Sequence, residues 1–71
     1  MVSYHSCIID ETYYLVPEDQ LRDLRLRRIS TLDQVYGGQI QDGRLEASRI
    51  GDSSVLESVT DYFVRQLEST N

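Results

Sequence analysis

The dipeptide Asp42-Gly43 narrows the folding options of this chain more than any other feature. It lies inside Gly38-Gln39-Ile40-Gln41-Asp42-Gly43-Arg44-Leu45-Glu46. A two-residue type I′ turn needs positive φ at both central positions, and Asp-Gly meets that need. Such a turn fixes the strand register, placing Gln41 opposite Arg44 and Ile40 opposite Leu45. Ile40 and Leu45 then share a face that Ala47 extends, and the polar face opposite is expected to be exposed.

A hairpin is also expected near the N-terminus. Residues 2–9 (VSYHSCII) and 13–16 (YYLV) are rich in β-branched and aromatic side chains, and Asp10-Glu11-Thr12 separates them as a polar gap. Setting Ile9 against Tyr14 puts Cys7 opposite Val16 on one side and Ile8 opposite Leu15 on the other. Both faces then carry apolar groups, so the hairpin needs cover on two sides, and a second copy of the chain is one way to supply it.

Between the hairpins runs Pro17–Tyr36, PEDQLRDLRLRRISTLDQVY. Pro17 suits a first helical position, Glu18 and Asp19 oppose the positive end of the helix dipole, and Gly37-Gly38 offers a stop. Leu21, Leu24, Leu32, Val35 and Tyr36 share one helical stripe, yet Arg25 and Arg28 fall in it and Leu26 does not. Three arrangements fit. The helix breaks near Ser30, with Ser30-Thr31-Leu32-Asp33 as a capping box that restarts it. Alternatively, the arginines sit in an interface, or residues 23–27 alternate as a strand. The broken helix is the favoured reading. Glu18–Arg22 and Asp23–Arg27 have the spacing of helical ion pairs, whereas Arg25 and Arg28 have no acid three or four residues before them.

A final helix opens at Gly51-Asp52-Ser53-Ser54, with Ser54 and Glu57 at capping-box spacing. Val55, Leu56, Val59, Tyr62, Phe63 and Leu67 form its apolar stripe, and the tail Ser69-Thr70-Asn71 is expected to fray. The fold class is therefore α+β: one small β-β-α-β-β-α domain spanning residues 1–71, with antiparallel hairpins packed against two helices.

Seventy-one residues bury only about 60–65% of their unfolded surface. The chain's own core is thin, and a homo-oligomer is expected. A formal charge of −5 opposes general attraction to nucleic acid and to anionic membrane. No apolar run reaches the roughly 20 residues of a spanning helix, and no secretory signal is evident. A single cysteine excludes an internal disulfide framework and points to the cytoplasm. Every one of the seven strongly basic residues is arginine.

Catalytic chemistry finds no foothold in the sequence. His5 and Cys7 lie two apart on one strand face, too few for a structural metal site, and no second His or Cys exists. Cys7 sits among apolar residues rather than bases, and no phosphate loop follows Gly37-Gly38. No catalytic, cofactor-binding or metal-binding residue is therefore assigned.

What remains is recognition of another protein. Arginine and tyrosine are enriched in such contacts, and five of the six aromatics are tyrosine. Arg25, Arg28, Arg22, Tyr36 and Tyr14 are the candidate partner-binding residues. The expected function is that of a non-enzymatic regulator or inhibitor bound stoichiometrically to a larger protein. A compact inhibitor from a mobile genetic element or phage fits that description, as does a cellular adaptor. The alternative is a nucleic-acid-binding or transcription factor that uses the arginine-rich helix 22–28.

Overall fold

The computed structural model describes residues 2–69. Its elements run β1 (Tyr4–Ile9), β2 (Thr12–Pro17), α1 (Glu18–Arg25), β3 (Tyr36–Gln41), β4 (Arg44–Arg49) and α2 (Ser53–Ser69). This is the β-β-α-β-β-α order read from the sequence. The four strands form one antiparallel sheet in the order β1-β2-β3-β4. Of the tail expected to fray, Ser69 ends α2, and Thr70 and Asn71 lie outside the described residues.

The β3–β4 hairpin has the register that Asp42-Gly43 implies, with Gln41 opposite Arg44 and Ile40 opposite Leu45. The β1–β2 register differs from the expected one by two residues: Cys7 faces Tyr14, Ile8 faces Tyr13, and Ile9 faces Thr12. The connection is Asp10-Glu11 alone, both residues at positive φ (50° and 66°), which makes a two-residue turn from residues that rarely adopt it. A slip of two residues leaves every side chain on its expected face, because the strand repeat is two.

Helix α1 is much shorter than Pro17–Tyr36. Pro17 is the last residue of β2 and stands at the N-cap with extended backbone, so the strand enters the helix with no loop. Two turns later Arg27 takes a left-handed conformation (φ 61°). The Arg27 N–H donates to the Leu24 carbonyl and the Arg28 N–H to the Asp23 carbonyl, the paired bonds of a Schellman ending. The break thus falls at Leu26-Arg27 rather than Ser30, and no second helix starts at Ser30-Thr31-Leu32-Asp33.

Residues 26–35 instead return as an irregular segment held by buried polar groups. The Leu32 N–H donates to Thr60 Oγ1 at 2.9 Å, and Thr60 Oγ1 donates in turn to the Leu56 carbonyl at 2.7 Å. Gln20 Oε1 accepts from the Asp33 and Gln34 N–H groups at 3.0 and 3.4 Å. Among the described residues, Gln20 and Thr60 are the two buried polar ones, and both satisfy backbone that no ladder reaches. Leu32 and Val35 thereby enter the core without a helix to carry them.

Asp52, not Ser54, caps α2. Its carboxylate accepts the Ser54 N–H at 2.9 Å and the Ser54 hydroxyl at 2.7 Å. The core holds Cys7, Val16, Leu24, Leu32, Val35, Val59 and Phe63, with Leu56, Tyr62 and Leu67 packed at its margin. Both helices and the irregular segment serve one side of β1 and β2. They leave β4 uncovered, with all six of its residues exposed.

Candidate partner-binding surface

Strand pairing sorts the sheet residues into two faces. Cys7, Thr12, Tyr14, Val16 and Gly37 face the helices, followed across the sheet by the polar Gln39, Gln41, Arg44, Glu46 and Ser48. The opposite face carries Tyr4, Ser6 and Ile8 from β1, Tyr13, Leu15 and Pro17 from β2, Tyr36, Gly38 and Ile40 from β3, and Leu45, Ala47 and Arg49 from β4. The apolar groups of β3 and β4 therefore point away from the chain's own core.

Among the described residues, no helix or further strand lies over that second face. Ile8 is 56% exposed, Ile40 52%, Tyr4 49% and Leu45 38%. Scattered apolar residues at a surface need no explanation, but a contiguous face of them marks an interaction site. The face is also almost uncharged. None of the twelve acidic residues occupies it, and its one formal charge, Arg49, directs a guanidinium N–H to the Asp33 carbonyl at 3.4 Å.

The expected partner-binding residues are divided between three places. Tyr36 lies on the open face, where its ring meets Tyr4 edge-on at 6.3 Å and 82°. Tyr14 lies on the opposite face, packed against the core, with its ring over the space where a Gly37 side chain would stand. The arginines cluster at the helical edge. Arg22 meets Asp19 at 3.5 Å rather than Glu18, and Arg28 meets Asp23 at 3.7 Å, the partner expected for Arg27. The Schellman turn explains the exchange, since it carries Arg28 back beside the last turn of the helix. Both pairs are solvent-exposed and worth well under about 1 kcal/mol each. Among the described residues, the Arg25 and Arg27 side chains have no acid within ion-pair distance.

Two shallow grooves border these arginines. One, of about 680 Å³, runs between β1, α1 and α2 past His5, Arg22, Arg25, Tyr62 and Leu67. The other, of about 750 Å³, is lined by Leu24, Ile29 and Val64 together with Arg25, Arg27 and Arg28. Neither groove includes a residue of β3 or β4.

Burial raises the pKa of the Cys7 thiol, which keeps it protonated and unreactive at neutral pH. Among the described residues, no group of three or more His, Cys, Asp or Glu side chains converges as a metal site. No described helix is long and apolar enough to cross a membrane. No protein-family model, curated protein or solved structure matches the chain.

Sequence reasoning identified the apolar residues of the open face but did not assemble them into a site. The signal was present: Cys7-Ile8-Ile9 and Tyr13-Tyr14-Leu15-Val16 are apolar without alternation, so each strand must show an apolar side to both faces. What the sequence lacked was the direction of Ile40 and Leu45, which depends on the β2–β3 pairing of Leu15 with Tyr36.

Proposed function

We propose that this chain is a non-enzymatic regulator or inhibitor that acts by stoichiometric association with a larger protein, in the cytoplasm and as a homo-oligomer. The observation that carries this reading is the apolar sheet face left open beside a core already closed on the other side. A chain with so small a core exposes such a face at a cost in solubility, and covering it with protein recovers the burial. Arg22, Arg25 and Arg28 supply charged contacts at the helical edge, where Arg25 is free to meet a partner carboxylate in bidentate fashion.

Affinity capture by the tagged chain from a lysate of its source organism tests the reading. A stoichiometric protein partner, lost with Ile40→Asp or with Arg25→Ala plus Arg28→Ala, is the expected result. Capture that neither variant alters removes both surfaces from consideration.

The nucleic-acid reading keeps one supporting observation, the four exposed arginines within residues 22–28. The net charge of −5 opposes it. Duplex binding that weakens steeply with added salt, and that Arg25→Ala with Arg27→Ala abolishes, would favour it over protein association.

A further inference from the structure

We infer that the occupant of the open sheet face is a second copy of this chain, stacked face to face across a two-fold axis. The inference rests on the reading of that face as a protein-association surface and names what covers it.

Charge gives the first argument. A heterologous partner of an acidic protein is ordinarily selected and oriented by complementary charge. This face offers almost none, since its strand positions hold no acid and its single arginine, Arg49, is turned to the Asp33 carbonyl. A two-fold contact brings each patch against itself and so demands a surface that does not repel its own copy. In a chain of net charge −5, an extended acid-free face meets that demand.

Shape gives the second. Twisted sheets stack best when their twists match, about 10 Å apart and some 30° from parallel. A second copy has the same twist by construction. Ile8, Tyr13, Leu15, Ile40 and Leu45 would interdigitate across the contact.

Area sets the strength. Four strands about 4.8 Å apart, each of six residues rising about 3.4 Å, project about 400 Å² per copy. The two copies together reach about 800 Å² before side-chain relief is added, below the roughly 1,200 Å² of stable specific interfaces and within the range of weak, transient ones. The dimer is therefore weak and readily reversible. The groove lined by Leu24, Arg25, Ile29 and Val64 stays accessible in it, because no residue of the open face lines it, whereas the other groove shares Tyr4 and Ser6 with that face.

Sedimentation equilibrium across a concentration series, on the full chain, tests the inference. The mass should climb from 8.2 kDa toward twice that value, independently of salt. Ile40→Asp and Ile8→Lys, at exposed positions on different strands, should each weaken dimerisation at least tenfold while circular dichroism shows an unchanged fold. A chain that stays at 8.2 kDa up to millimolar concentration overturns the inference, as does a dimer that tolerates both substitutions. Wild-type monomer with lysate capture still sensitive to Ile40→Asp would overturn the second copy alone and leave the association reading standing. Insensitivity of both mass and capture would remove the two together.

Discussion

The β1–β2 hairpin turns through Asp10 and Glu11, the β3–β4 hairpin through Asp42 and Gly43. Three of these are L-residues held at positive φ (50°, 66° and 53°), and only Gly43, at 75°, is suited to it. The hairpin with the less favourable turn is the one that contributes Cys7 and Val16 to the core, whereas all six residues of β4 are exposed. Burial compensates for weak turn chemistry in the first hairpin, and turn chemistry compensates for missing burial in the second. A local sequence signal is thus strongest where tertiary structure contributes least.

The sharpest way to break that comparison is to remove core from one side and apolar surface from the other. Phe63→Ala, at a site 8% exposed, should destabilise the fold by about 3–5 kcal/mol in denaturant titration. Leu45→Ala should cost less than about 0.5 kcal/mol in dilute solution. A comparable loss for Leu45 would mean that the open face is closed within a single copy.

Thr60→Val keeps the side-chain shape but leaves the buried Leu32 N–H without its acceptor, at a cost of about 1–3 kcal/mol. Amide exchange at Leu32 should accelerate beyond that of the sheet. An unchanged exchange rate would show that the irregular segment is held by Leu32 and Val35 packing alone.

The turns predict effects of opposite sign. Glu11→Gly should stabilise by about 1 kcal/mol and Gly43→Ala should destabilise by about the same amount. Arg27→Gly, which relieves the same strain at the end of α1, belongs with the first of these. Equal signs for Glu11→Gly and Gly43→Ala would contradict the contrast between the hairpins.

The smallest effect concerns the α2 cap. The Ser54 hydroxyl and the Ser54 and Val55 N–H groups hold the Asp52 carboxyl below the usual aspartate range. A carboxyl with a depressed folded-state pKa stabilises fully above its unfolded value, near about 4, and that contribution is lost as pH falls through the folded value. The melting temperature of Asp52→Ala should therefore lie slightly below wild type at neutral pH and converge with it in strong acid. A gap that persists in acid would place the effect in packing rather than in the charged cap.

Much of this architecture was legible because its signals are local. Asp42-Gly43 specified its own hairpin, and the stripe from Val55 to Leu67 specified α2. The stretch after Leu24 was not legible for a physical reason. Its apolar residues Ile29, Leu32 and Val35 recur at helical spacing although an irregular chain carries them, and within it Thr60 accepts the Leu32 N–H and Gln20 those of Asp33 and Gln34, from distant positions. Arg28, unlike Arg25, looked anomalous only while residues 17–36 were read as continuing one apolar stripe. Once the helix stops at Arg25, Arg28 is no longer part of that stripe and has Asp23 beside it.

The sequence by itself determined the element order, the second hairpin's register and the inward side of α2, since each depends on residues within a few positions of one another. Tertiary structure decided that no helix resumes after α1, because the Leu32 N–H finds its acceptor 28 residues away at Thr60. It also decided which sheet face stays open: pairing Leu15 with Tyr36 sets the outward direction of Ile40 and Leu45, and no local pattern encodes a pairing across the intervening helix.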